Sequence, residues 1–314
     1  GDMRWLEADL PAALEFHQKA WAINRDLLAE LPENKEIRYD AAMSYGLYGR
    51  MLGANGRIDE SLENIRRGIS IFENLTQKNP DETKYQEALA FAYDRIGEIL
   101  IGLTGNYADG FQAYSKSQVI TEKLLAANPS DTKLRRSMAV GHFNLAQASN
   151  KLGDRQAALD HAEKAVAGFK RLLAEDPQNK EYEQTTATVQ TFYFDQLTAN
   201  GRALETIEPL KRTLQTFEKS YAASPSDEIS HFRIAESQSA LARAFAALAS
   251  DQRFVVKKRL EYWHAARGYY QKSLKIYKHF QEAGMLSGEE ADRVGINTKG
   301  LSECESEIAA LGGK

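Results

Sequence analysis

Apolar residues recur at three- and four-residue intervals along nearly the whole chain, as in Met138, His142, Leu145, Ala146 and Ser149, and short polar turns interrupt the pattern. That spacing predicts helices with one buried face. The interruptions are regular. Pro32, Pro80, Pro129, Pro177 and Pro225 follow one another at spacings of 48, 49, 48 and 48, and Gly56, Gly105, Gly153 and Gly201 at spacings of 49, 48 and 48. Two markers with one period identify an internal repeat. Two residues after each repeat proline stand Asn34, Glu82, Asp131, Asn179 and Asp227. Side chains of this kind can accept from the unpaired amides of a starting helix. Each proline therefore opens a helix, each glycine ends it, and a second helix runs to the next proline. Every repeat is predicted to be a helical hairpin.

Small residues recur at one position of the second helix, Ala13, Ser61, Gly110, Ala158 and Thr206, and again seven residues on, Ala20, Gly68, Ser117, Ala165 and Thr213. Seven residues is two turns, so both positions share a face that a neighbouring backbone can approach closely. Ile65, Tyr114 and Leu210 fill the space between them, while His17 and Ala162 depart from that pattern. Such a hairpin cannot cover its own apolar face and needs stacked neighbours. The expected fold is all-α: an α-solenoid of tandem antiparallel helix pairs in a right-handed superhelix, one repeat domain over 1–314. Its hairpins are expected near 32–79, 80–128, 129–176, 177–224 and 225–285, with an N-terminal half-repeat at 3–31 and a C-terminal capping helix at 287–312.

These residues resemble the tetratricopeptide repeat (TPR), whose first helix carries a Leu-Gly-like pair and whose second carries spaced small residues. Tyr48-Gly49 and Ile96-Gly97 match the pair, and Leu145-Ala146 nearly does. The usual period is about 34 residues. Two further turns in each helix would supply the additional length without moving the buried face. Repeat four departs, because Tyr193-Phe194 puts an aromatic where the small residue belongs. More narrowly, Asn128-Pro129-Ser130-Asp131 and the Asn79-Pro80 unit with Tyr93, Ile96 and Gly97 resemble the long-period repeats found C-terminal to bacterial serine/threonine kinase domains. That resemblance implies a sensor or scaffold region in signal transduction, extracytoplasmic if it follows a membrane span and cytoplasmic otherwise. None of the kinase motifs is present in this segment.

The array departs from itself after Ala249, where about a dozen extra positions separate the helices of the last hairpin. The insertion, 254–265, includes Phe254 and the basic run Lys257, Lys258 and Arg259, followed by Tyr262 and Trp263. It reads as an extended helix with a solvated basic face or, secondarily, as a docking surface for an acidic partner. A last amphipathic stretch over 288–312, with Ser287 as its N-cap, reads as the terminal cap.

Composition narrows the function. The formal charge is −4, so the basic excess that drives nucleic-acid binding is missing. The longest apolar runs, such as Ile99–Leu103, fall far short of the roughly 18 residues a membrane span needs. One cysteine, Cys304, can form neither an internal disulfide nor a thiolate zinc site. The first residues, Gly1-Asp2-Met3-Arg4, carry no signal-peptide pattern and predict a segment of a longer protein. His17, His142, His161, His231, His264 and His279 show no metal-ligand spacing, and no dinucleotide fingerprint, phosphate loop or nucleophile elbow occurs. No catalytic residue, cofactor or metal is predicted.

In TPR proteins the first helices line the concave surface. Carried onto this chain, the outward positions are Met43, Gly46 and Arg50; Phe91, Asp94 and Glu98; Val140, Phe143, Gln147 and Asn150; Thr188, Thr191 and Asp195; Glu236, Ser239 and Arg243. The expected groove is Phe91, Asp94, Glu98, Phe143, Gln147, Asn150 and Asp195, with the aromatics as anchors and the carboxylates favouring a basic segment of a protein or peptide. It lacks the lysine/asparagine pattern of chaperone-tail binders. Two alternatives stand beside this binding module. One is an enzyme using Asp94, Glu98 and Asp195 as acid, base or metal ligands; the other is a structural array that self-associates into a homo-oligomer.

Overall fold

The computed structural model describes residues 10–286 and 290–312. Among these, twelve α-helices, one 3-10 turn and no strand occur. The helices are α1 (Leu10–Glu30), α2 (Lys35–Ala54), α3 (Ile58–Lys78), α4 (Thr83–Gly102), α5 (Tyr107–Ala127), α6 (Thr132–Lys151), α7 (Arg155–Glu175), α8 (Lys180–Ala199), α9 (Ile207–Ala223), α10 (Glu228–Ser250), α11 (Val256–Glu282) and α12 (Asp292–Ala310). From α2 to α8 the lengths alternate between 20 and 21 residues, about two turns longer than the usual repeat allows.

The boundaries follow the local chemistry. Asn34 accepts from the amides of Glu36 and Ile37, Asp131 from Lys133 and Leu134, Asn179 from Tyr182, and Asp227 from Ser230. Glu82 makes no such bond. Its extra methylene lets the carboxylate overreach the amides that a shorter side chain meets. Gly56, Gly105, Gly153 and Gly201 all have φ between 67° and 80°, the left-handed conformation that only glycine adopts without strain.

The chain divides into two compact units on either side of the Asp154–Arg155 bond. In the first, each helix packs on the next, and α2 also touches α4. Its core is one cluster that includes Ile65, Phe72, Leu75, Tyr85, Leu89 and Ile96. Approach to a neighbouring backbone is closest at Gly68, where an added Cβ would lie 2.9 Å from the Ala42 carbonyl oxygen. In the second unit, α8 touches α10 as well as its sequence neighbours. One cluster there gathers Leu210, Phe217, Ile234 and Leu241, and another Trp263, Tyr270, Cys304 and Ile308. Ala158, Ala162 and Ala165 are completely buried along α7. Thr206 at the head of α9, Thr213 within it and Ser273 on α11 occupy small positions; their hydroxyls donate to the carbonyls of Ala203, Leu210 and Ala235 at 2.8, 2.9 and 2.9 Å. A buried hydroxyl is tolerated there because it is satisfied.

Repeat four and the last helix depart from the expectation. Repeat four, with its aromatic Tyr193-Phe194, has a shortened second helix of 17 residues preceded by a 3-10 turn at Ala203–Glu205. Pro209 lies in the first turn of that helix, where its missing N–H costs nothing. The inserted residues are taken up by helix, as the extended-helix reading expected. They lengthen α10 to 23 residues and α11 to 27, leaving only 251–255 as the connection. The last helix begins at Asp292 rather than at 288; Ser287 and Glu289 lie outside the described residues. α12 packs on α11 and α10 and buries Cys304 completely, closing the end of the second unit.

Candidate functional site

In the first unit, α4 and α6 carry six of the seven groove residues. Phe91 is 47% exposed, Gln147 and Asn150 are exposed, and Asp94, Glu98 and Phe143 are half-buried. Leu89, Ala92, Tyr93 and Ile96 turn into the core, which leaves Phe91 on the other side of the helix. The Arg95 guanidinium lies over the Phe91 ring, 4.9 Å from its centroid, and pairs with Glu98 at 2.7 Å. Glu98 is thus already compensated. Asp94 is compensated only in part: one carboxylate oxygen, Oδ1, is buried without a hydrogen-bond partner. Burial pushes the Asp94 carboxyl up to about 6, against the opposing effects of a Ser117 hydrogen bond and the Arg95 charge.

The seventh residue, Asp195, belongs to the second unit and is held differently. Its carboxylate takes the Arg243 Nε at 2.7 Å, and Arg243 also donates to the Ser239 hydroxyl at 2.7 Å. Burial works against the Arg243 charge, but the carboxylate more than offsets it and holds the guanidinium above its ordinary range. Glu236 is likewise gripped by Arg233 at 2.5 Å and Arg293 at 3.4 Å. Thr191 and Ser239, both expected to face outward, are buried. The Thr191 hydroxyl donates to the Ala187 carbonyl of its own helix at 3.0 Å and lies 3.2 Å from the Thr213 hydroxyl and 3.4 Å from that of Ser237, so it is already partnered inside the protein.

The basic run falls in the first turn of α11, with Lys257 and Lys258 exposed. Lys258 pairs with Glu261 at 2.8 Å and lies over the Tyr262 ring. Arg259 donates to the Ala249 carbonyl at 2.7 Å, bracing the α10–α11 connection.

Sequence reasoning missed two features. A cleft of about 530 Å³ runs between α3 and α5 over α4, walled by Leu89, Val119 and Ile120 and rimmed by Glu73 and Lys116. Tyr93 donates to Glu73 at 2.5 Å, and Lys116 lies over the Tyr93 ring. Val119, 51% exposed, is the large apolar side chain the cleft leaves open. The second feature is a junction of Glu228, His231 and His279 at one end of the last hairpin. His231 and His279 stand a full repeat period apart in sequence, so helical spacing could not pair them.

No protein-family model matches the sequence, and no curated protein matches it. Solved structures do. BtubC (BKLC) from P. vanneervenii superposes with a TM-score of 0.52 at 15% identity, over 88% of this chain and 93% of that one. A putative kinesin light chain with nearly identical TPR-like repeats from Podosopora anserina gives 0.45 at 21% identity, over 74% and 95%. YrrB, described as a TPR protein with an unusual peptide-binding site, gives 0.41 at 14% identity, over 82% and 97%. Likeness at these identities concerns the fold, and the fold is the tetratricopeptide-like, all-α helical repeat.

Proposed function

We propose that this chain is a non-catalytic scaffold that binds a protein or peptide through the first-helix face of its first unit. The carrying observation is on α4: an exposed aromatic, Phe91, one turn from a carboxylate oxygen of Asp94 that has no internal partner. An exposed ring supplies apolar contact area. An unpartnered buried acceptor is costly in the free protein and gains a partner when a ligand donor arrives. The ligand is therefore a segment with a lysine or arginine beside an apolar residue. Phe143, Gln147 and Asn150 on α6 extend the surface, and Asp195, neutralised by Arg243, contributes to stability rather than to the ligand.

A peptide-array screen followed by titration tests this reading. Binding by the best basic peptide should fall at least about tenfold in Asp94→Lys/Glu98→Lys and lose much of its salt dependence. Unchanged affinity in the double variant would reject the face and direct attention to the α3–α5 cleft or to Lys257 and Lys258.

The long repeat period and the Asn-Pro phrases support placing this scaffold C-terminal to a bacterial serine/threonine kinase domain, in signal transduction. Reading the gene upstream of Gly1 tests that context; an open frame encoding a kinase domain and a membrane span would put the repeats outside the cytoplasm. Light scattering at working concentration separates the scaffold from a self-associating array.

A further inference from the structure

We propose that Glu228, His231 and His279 form a binding site for a divalent transition-metal ion of the zinc type. The backbone brings the three together. Glu228 and His231 lie three residues apart at the start of α10, hence on one face. His279 lies in the last turn of α11, and the two helices pack as an antiparallel hairpin, which sets the end of one beside the start of the other. One ligand atom from each residue lies within 4.8 Å of the other two. Zinc bonds of about 2.0–2.2 Å at tetrahedral angles require ligand atoms roughly 3.4 Å apart. Glu228 and His231 already stand at 3.5 Å. The remaining closure falls to His279, which is exposed and whose ring lies 5.8 Å from that of His231 and 5.6 Å from that of Phe280.

An independent observation points to a ligand. The facing atoms, His231 Nδ1 and Glu228 Oε2, are both buried and neither has a hydrogen-bond partner. Two such atoms left unsatisfied in one place are expensive, and a cation between them satisfies both at once. The His231 ring is not loose: it stacks on Tyr221 with centroids 4.4 Å apart and planes 13° off parallel, and Phe280 borders it at 5.5 Å. Ring packing thus orients the imidazole without using Nδ1. Two imidazoles and one carboxylate favour zinc, copper or nickel over magnesium or calcium, which prefer all-oxygen sites. Three protein ligands leave one position for water or an outside group. A bound ion would tie the start of α10 to the end of α11, the two longest of the described helices.

The test uses the protein without a histidine tag. Zn²⁺ titration against a competing chelator should give one equivalent per chain, and Co²⁺ should show the visible absorption of a tetrahedral site. His279→Ala changes an exposed side chain and should fold normally by circular dichroism, yet lose about 100-fold or more in Zn²⁺ affinity; Glu228→Gln should also weaken binding. Zn²⁺ should raise the melting temperature of the wild type but not of His279→Ala. A His17→Ala/His264→Ala control should bind as the wild type does. Absence of stoichiometric uptake at micromolar Zn²⁺, or equal affinity in folded His279→Ala, overturns the site.

Discussion

The same face of the first helices is finished in opposite ways in the two units. At the middle of α4, Arg95 pairs with Glu98 three residues on, and Asp94 keeps one oxygen without a hydrogen-bond partner. On α8 and α10 the charges bridge helices, with Asp195 reaching Arg243 one full repeat period away and Glu236 reaching Arg293 on α12. A charge that joins neighbouring repeats contributes to stability and is consumed by it. One with an oxygen left unpartnered costs the free protein something. The contrast separates carboxylates with different pairing that look alike in the sequence.

The largest effect should come from breaking a bridging pair. Arg243→Ala strands a half-buried Asp195 and should cost about 3 kcal/mol in urea unfolding. A loss below about 0.5 kcal/mol would mean that the pair only decorates the surface. Packing in the second unit comes next: Ala165 is completely buried, so Ala165→Leu should cost about 1–3 kcal/mol, while exposed Lys164→Ala changes little. A melt with the opposite ranking would refute the assigned face of α7.

On α4 the sign reverses. Asp94→Asn should stabilise the protein by about 1–2 kcal/mol at neutral pH, because it removes a carboxylate that burial disfavours. With the folded-state value raised from 3.8 to about 6, the wild type binds the extra proton in the native state, so its stability falls as pH rises through that window. The advantage of the variant should therefore grow between about pH 4 and pH 6 and level off above. A gap independent of pH would show that Asp94 is not buried as described. The smallest effects concern the caps. Asp131→Ala should cost about 1 kcal/mol and Glu82→Ala less than about 0.5, since only the former side chain reaches the amides. Equal costs would remove the geometric distinction between them.

The fold was readable because it is written in residues with local duties. A proline, a capping side chain two residues later and a glycine at positive φ each act within one turn of chain, so their spacing transmits the architecture directly. The site was less readable, for the opposite reason. The outward position of Phe91 was implied by the resemblance to TPR first helices, but whether Asp94 or Asp195 is already paired depends on side chains from other helices. The period does hold a usable signal: Glu36 and Lys84, like Asp195 and Arg243, are opposite charges one repeat apart, and both pairs close in the structure. Applying the repeat length to charges as well as to prolines would have found them. Thr191 misled because threonine looks polar and outward, whereas here its hydroxyl is satisfied by the Ala187 carbonyl of its own helix and by neighbouring hydroxyls. The pairing of His231 with His279 also spans one period, but across the lengthened last hairpin rather than between equivalent repeat positions.

The burial of Cys304 gives this molecule its own clock. The chain has a single thiol. That thiol is completely enclosed where α12 seals against Trp263 and Tyr270, and burial pushes it up to about 12. An alkylating reagent attacks the thiolate, so it reacts only after α12 lifts away. The alkylation half-life then measures how often the terminal helix detaches, with no engineered label. If α12 detaches alone, the half-life should lie well below that of global unfolding and be insensitive to core substitutions in the first unit. If the whole second unit opens together, Ala165→Leu should shorten it in proportion to its cost in stability.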